Sequence, residues 1–201
     1  MKKEMSLKKC LLLWAAPLIT VLHSTSALAA MGASVTLASG QPANINPSET
    51  TQLEITLSNN NTTSAINSVA FSNSLPGVLP DGLKIAGAPT YTCTDPSIPS
   101  TTAGAGTLTA TVGTQAISLT GGIIPVRDAG SSTDGTCTII IPVTAGTSNG
   151  TSQTYNYQIA NGAVTGNDGG AVSNSGAVNQ SINVLAMSRP VISKSFGSST
   201  L

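Results

Sequence analysis

Apolar and polar residues alternate along much of this chain. In the segments 52–58 and 136–143, every second residue is apolar or a cysteine, and the residues between them are polar in most cases. An alternation with a period of two indicates a β-strand with one buried face, because successive side chains point to opposite faces of a sheet. Shorter stretches of the same kind predict further strands at 69–71, 108–112, 116–119, 155–159 and 178–185.

Clusters of Gly, Pro, Asn and Asp separate the predicted strands. They lie at 59–62, 75–77, 80–82, 120–122 and 167–170, and residues of these types favour tight turns. Beyond the N-terminal region, no stretch of useful length shows a helical repeat of 3.6 residues. Many short strands joined by turns predict an all-β fold, either an antiparallel sandwich or a barrel.

The N-terminal region has the three parts of an export signal. Four lysines lie within the first nine residues, an apolar segment covers 10–22, and small residues at positions 27 and 29 form a cleavage site. We expect cleavage between Ala29 and Ala30, so that 1–29 is a signal peptide. The alternative is a membrane anchor that is never cut, but the apolar segment is shorter than the roughly 20 residues that a bilayer requires.

The remainder of the chain, from Ala30 onward, has no later segment apolar enough to cross a bilayer. We therefore expect an exported protein, extracellular or at the cell surface, without an integral membrane segment in its mature form. Export also places the cysteines in an oxidising environment.

Little catalytic chemistry remains once the signal is removed. The only histidine, His23, and the only tryptophan, Trp14, both lie within 1–29. The exported chain has four basic and seven acidic residues, a formal net charge of −3, which provides no basic surface for nucleic acid or anionic lipid. We expect no catalytic residue, no cofactor, no metal and no nucleic-acid partner, since an enzyme would depend on Asp, Glu, Tyr, Ser and Thr alone.

Two cysteines remain in the exported chain, Cys93 and Cys137. A disulfide between them is the favoured interpretation, and in the chain-entropy model it stabilises the fold by about 4 kcal/mol. The alternative, a reactive thiol, requires a basic partner that lowers its pKa, and no such residue lies nearby in the sequence. Cys137 shares the apolar face of its strand, so we expect the sulfur in or near the core, with 94–106 as an exposed loop.

Several short motifs follow one another in a characteristic order: Ile45-Asn46-Pro47-Ser48-Glu49 leading into 50–59, Val69-Ala70-Phe71-Ser72-Asn73-Ser74-Leu75-Pro76, Thr92-Cys93, Ile117-Ser118-Leu119-Thr120-Gly121-Gly122 and Gly135-Thr136-Cys137-Thr138-Ile139. In this order they resemble the Ig-like repeat domains, of unknown function, that occur in large bacterial surface and secreted proteins. The resemblance covers 35–185. It implies an Ig-like antiparallel β-sandwich over 30–188 that carries one disulfide.

The C-terminal segment 189–201 is interpreted as a linker or the start of a second repeat. Domains of this family usually begin with Lys-x-Phe, a small residue and Pro; the first domain here lacks that start, whereas the tail contains Lys194-Ser195-Phe196. The tail therefore resembles the opening of another repeat. The alternative is a terminal strand that closes the sheet of the first domain.

Two weaker hypotheses concern individual polar residues. The turn 166–170, with Asp128 and Asp134, offers oxygen atoms for calcium, but its spacing matches no known calcium loop, so we expect no metal. Lys84 is the only lysine inside the domain and has apolar neighbours, which makes it a candidate for an isopeptide bond to an asparagine. The simpler interpretation is a solvated surface lysine.

The sequence thus favours a non-enzymatic structural or adhesive module of a bacterial surface or secreted protein, an N-terminal piece of a longer repeat array. Its partners would be neighbouring repeats of the same chain or a surface ligand. The alternative is a stand-alone secreted binding protein or a fimbrial-type subunit. If the domain binds a ligand, the loops 94–106 and 126–135 are favoured, because loops on a rigid scaffold often carry binding residues.

Overall fold

The structure, a computed structural model, describes residues 31–78, 81–98, 100–146, 151–187 and Lys194. Within these residues the chain forms strands and no helix. The strands are β1 (Met31–Leu37), β2 (Asn44–Ile45), β3 (Thr50–Asn59), β4 (Ile66–Ser74), β5 (Leu83–Ile85), β6 (Thr90–Asp95), β7 (Ser100–Ala103), β8 (Thr107–Ala110), β9 (Ala116–Ile124), β10 (Gly135–Ala145), β11 (Gln153–Ile159), β12 (Thr165–Asn167), β13 (Ala171–Ser173) and β14 (Val178–Val184).

The largest sheet contains β1, β3, β10, β6 and β7 in that order, and β5 also pairs with β10. Its two central strands, β3 and β10, carry the strongest alternation in the sequence, and every second residue of each is buried. Their pairing is antiparallel and runs from Gly135 opposite Asn59 to Thr144 opposite Thr50. The predicted strands at 52–58 and 136–143 are therefore confirmed as the centre of this sheet.

The opposite layer consists of two smaller sheets. One has the order β13, β12, β4, β9 and β8, and the other has the order β11, β14 and β2. The side-chain amide of Asn73 on β4 donates a hydrogen bond of 2.6 Å to the carbonyl oxygen of Gln158 on β11, and this bond links the two smaller sheets. One continuous core contains buried residues from all three sheets, so the predicted all-β antiparallel sandwich is confirmed.

The predicted turn at 120–122 is wrong, because β9 continues through it to Ile124. The strand accommodates its glycines with a shift in register against β4, and Gly121 adopts a positive φ of 68°. At position 122 a Cβ would lie 3.0 Å from the hydroxyl of Tyr91, so a larger residue there would require its neighbours to shift. Gly122 therefore makes room for a large side chain from the facing sheet.

The segment 94–106 is also more ordered than the exposed loop that the sequence predicted. After a turn at 96–98 the chain returns as β7, which pairs with β6 from Thr92 opposite Ala103 to Asp95 opposite Ser100. Gly104 then packs on the ring of Tyr91, where a Cβ would approach the ring atoms to 2.4 Å. Small residues therefore allow the chain to pass from the largest sheet to the facing sheet that contains β8.

The strand register determines where the chain enters and leaves the sandwich. Met31 pairs with Asn59 at one end, which we call the amino end. At the other, the carboxyl end, β14 finishes with Val184 beside Ile45, and the loop that follows Ile45 bonds to Ala145 at the end of β10. The eleven residues of β10 span this distance, about 35 Å. The described domain therefore begins at one end and finishes at the opposite end.

Candidate functional site: the disulfide and the two ends of the sandwich

A disulfide joins Cys93 on β6 to Cys137 on β10. The two residues are directly opposite each other in the antiparallel ladder, with Cα atoms 4.0 Å apart. Cys93 is 5% exposed and Cys137 is fully buried. The carbonyl oxygen of Ile123, on the facing sheet, lies 3.6 Å and 3.2 Å from the two sulfur atoms. The bridge therefore lies between the sheets, as expected from the inward face of Cys137.

The long loop between β9 and β10 lies at the amino end. The carboxylate of Asp128 accepts hydrogen bonds from the backbone amides of Gly130 and Ser131, at 2.9 Å and 3.0 Å. Hydrogen bonding by Ser131, and then by Gly130, holds the pKa of Asp128 below its ordinary value. Arg127 Nε lies 3.5 Å from Asp134 Oδ1. These hydrogen bonds and this ion pair join residues of the same loop, so the charged groups stabilise the loop itself.

The turn between β6 and β7 lies beside that loop. Asp95 accepts hydrogen bonds from the hydroxyl and the amide of Ser97, at 2.6 Å and 2.9 Å, and the hydroxyl bond contributes most to lowering the pKa of Asp95. The negative charge of Asp128 acts on the pKa of Asp95 in the opposite direction. Ile98, at the tip, is 62% exposed. Because Thr94 is opposite Thr136, the turn after β6 and the loop before β10 lie at the same end of the sandwich.

Two buried asparagines, which the sequence analysis did not single out, hold the amino end together. Asn59 donates its side-chain amide to the carbonyl oxygens of Ser64 and Pro125, both at 2.9 Å. Asn174 donates to Ala160 and Gly176 and accepts from the amide of Val164. In the sequence these residues look like ordinary turn and strand-end asparagines. Only the fold shows that they satisfy backbone groups of distant segments.

The calcium hypothesis gains no support from the described residues. No group of three or more His, Cys, Asp or Glu side chains in that part of the chain is arranged to hold a metal ion. Asp168 lies in the predicted turn, with its Oδ2 3.5 Å from the side-chain amide of Asn61, while Asp134 is paired with Arg127. The oxygen atoms of Asp128 are already used by amides of their own loop.

Lys84 lies on β5 opposite Thr144, between two buried residues, Leu83 and Ile85. Because side chains alternate along a strand, the half-buried Lys84 points away from the core that its neighbours face. This position agrees with the simpler interpretation of Lys84 as a surface lysine. An isopeptide bond stays a hypothesis that intact mass would test.

At the carboxyl end, Gln115 fixes the loop that follows β4. Its side-chain amide nitrogen lies 2.9 Å from the carbonyl oxygen of Leu83, 3.0 Å from that of Gly77 and 3.4 Å from that of Pro76. The hydroxyl of Tyr155 lies 2.7 Å from the carbonyl oxygen of Asp81. Three large apolar side chains of this end are exposed: Val78, Val112 and Met187.

Buried tyrosines are the remaining ionisable groups of the core. Burial raises the pKa of Tyr157 far above its ordinary value, and it also raises the pKa of Tyr91. Within the described part of the chain, both hydroxyl oxygens are buried and neither has a hydrogen-bond partner of good geometry. A phenol whose pKa is raised is a weaker acid at neutral pH, so neither group is suited to acid–base chemistry.

Some predicted features lie outside the described residues. These are the signal peptide 1–29, the cleavage site between Ala29 and Ala30, and the segment 189–201 apart from Lys194, which is exposed. The part of the chain that is described offers no helix with the length and apolarity that a bilayer span needs.

No protein-family model and no curated protein matches this chain. Several solved structures resemble it, among them three bacterial surface proteins. The major pilin subunit of Bacillus cereus is 11% identical, with a TM-score of 0.44 over 79% of this chain and 40% of the pilin. The collagen-binding domain of a Staphylococcus aureus adhesin is 13% identical, with a TM-score of 0.42 over 75% and 95%. The pilus backbone protein of Streptococcus pneumoniae is 15% identical, with a TM-score of 0.40 over 68% and 31%.

The chain thus spans well under half the length of the two pilus proteins. At these identities and scores, no property of those proteins is carried over to this chain. The resemblance to the Ig-like repeat family stays a prediction from the sequence motifs.

Proposed function

We propose that this protein is a non-enzymatic structural or adhesive module, exported by its N-terminal signal and presented at the cell surface as one unit of a longer array. The observation that carries this proposal is the path of the chain. It begins at the amino end beside Asn59 and finishes at the carboxyl end beside Ile45. A domain with its termini at opposite ends extends the assembly by its full length for every unit added.

The exposed face of the largest sheet supports an extracellular role. The register places Thr56, Thr138 and Thr92 side by side across three strands, and Thr136 and Thr94 in the next rank. These side chains are half-buried or exposed. Hydroxyl groups keep this face soluble with few charged side chains, which agrees with the low charge of the chain.

Protease treatment of intact cells tests the location. We expect the protein expressed from its own signal to be cleaved by external protease, and N-terminal sequencing of the mature form to begin at Ala30. A matched variant, Ala29→Leu, puts a large residue at the cleavage site, and we expect it to accumulate as the precursor. Recovery of uncut wild-type protein from the cytoplasm would overturn the proposal.

The array is tested by the coding sequence beyond the codon for Leu201. Further domains with a Lys-x-Phe start, followed by an anchoring segment, would support a surface stalk. A stop codon directly after Leu201 would instead leave the alternative, a stand-alone secreted binding protein or fimbrial-type subunit. The observation that favours this alternative is the exposed Ile98, which lies at the same end of the sandwich as the 126–134 loop.

A further inference from the structure

The first and last described strands are held in the same way. β1 pairs with β3 over seven residues, from Met31 opposite Asn59 to Leu37 opposite Leu53. β14 pairs with β11 over seven residues, from Val178 opposite Ile159 to Val184 opposite Gln153. Each terminal strand therefore has an uninterrupted antiparallel partner along its whole length.

The direction of these strands decides how they respond to tension between the two ends of the chain. β1 starts at the amino end and would be pulled out along its own axis, and β14 would be pulled out at the carboxyl end in the opposite direction. The hydrogen bonds of an antiparallel pair are perpendicular to the strands. Tension along the axis therefore loads all seven pairs of a ladder together, whereas a perpendicular force would break them one after another.

The disulfide removes two short edge strands from the path of the force. Between Cys93 and Cys137 lie β7 and β8, with four residues each, and β9 with its shifted register. A pull on the ends passes through the S–S bond and bypasses the 43 residues between the cysteines. The bridge is also buried, so a reductant reaches it only after the sandwich opens.

We propose that the domain is built to carry tension along its long axis, with β1 and β14 as shear-loaded clamps and the Cys93–Cys137 bridge as a stop that limits extension. This inference rests on the proposed function as a unit of a surface array. It names what such a unit would do there: it would transmit force between its two ends and, after unfolding, keep the 43 residues between the cysteines out of the extended chain.

Single-molecule stretching of the exported chain tests the clamps. In one arrangement the handles are attached at Ala30 and at the C-terminus. In the matched control, the first handle is attached through Ser39→Cys, an exposed position directly after β1 at the carboxyl end. Both handles then pull from one end and peel the terminal strands. We expect the unfolding force in the first arrangement to be at least about twice that in the control, and equal forces would overturn the clamps.

The same instrument tests the stop when a dithiol reductant is added. Its thiolate attacks one cysteine sulfur to form a mixed disulfide, the other cysteine leaves as a thiolate, and the second thiol of the reductant releases the first cysteine. Each molecule should first unfold and only then lengthen by a further step of about 15 nm, the contour of the 44 residues. A lengthening step before unfolding, or no second step, would overturn the stop.

These results are distinguishable from failure of the proposed function. A cytoplasmic protein, or one without further domains, contradicts the surface array whatever force the domain withstands. If the protein is found at the surface but unfolds at equal force in both pulling geometries, the surface array still stands and only the clamp proposal fails.

Discussion

Removing the disulfide should cost a large part of the stability of this domain. The change we consider is the double substitution Cys93→Ala and Cys137→Ala, which deletes the bridge without leaving a free thiol. A crosslink between residues 44 apart lowers the entropy of the unfolded chain, and the chain-entropy relation gives about 4 kcal/mol at 25 °C. Because small domains unfold with a free energy of about 5–15 kcal/mol, we expect the variant to be folded but marginal.

The measurement is urea unfolding followed by far-UV circular dichroism, since the exported chain has no tryptophan. The slope against urea should rise, because the uncrosslinked chain exposes more surface when it unfolds. The control is Val143→Ala, a buried deletion on the same strand that should lower stability without changing the slope. A loss below about 1 kcal/mol with an unchanged slope would refute the reasoning, because the bridge would then do little to the unfolded state.

Three further predictions concern buried polar groups. Tyr91→Phe removes a hydroxyl that has no partner, so stability should be unchanged or higher, whereas Tyr155→Phe loses a bonded hydroxyl and should cost about 1 kcal/mol in urea unfolding. Asn174→Ala removes three hydrogen bonds to backbone groups, although the carbonyl oxygen of Ala160 keeps the amide of Ala163 as a partner, and should cost about 3 kcal/mol, with faster hydrogen exchange at the amino end. Burial raises the pKa of Tyr157, so the contribution of this group to the free energy of unfolding is fully present below the unfolded pKa of about 10 and is lost above it. The pKa of Asp128 is lowered, so its contribution to the free energy of unfolding is lost in acid. Thermal unfolding should therefore show a plateau between about pH 5 and pH 9, and a steep change at neutral pH would contradict this assignment.

The sequence predicted those parts of the fold that depend on a local pattern. β3 and β10 alternate because one face of each is buried, and that pattern is visible without any partner strand. The position of Cys137 on the apolar face of β10 likewise predicted a buried sulfur, and the structure places it there. Because Cys10 lies in the predicted signal peptide, two cysteines remained, with little choice of pairing.

The parts that the sequence did not predict depend on long-range contacts. Gly121 and Gly122 look like a turn, although a strand runs through them and the hydroxyl of Tyr91 approaches Gly122 from the facing sheet. Asn59 looks like a turn residue, although its amide binds Pro125, 66 positions away. No local pattern carries such information, because the partner is brought close only by the fold.

The order of elements along the chain matches the division of mechanical roles that we propose. The fully paired strands β1 and β14 are the first and last described strands along the chain, so external tension acts on them first. Two short edge strands, β7 and β8, lie between the cysteines, where the covalent bridge shields them. A permuted chain with the same contacts, opened between β7 and β8 and joined from β14 to β1, would place those weak strands directly under load. The same sandwich would then yield by peeling, so resistance to tension is a property of where the chain begins and ends in the fold.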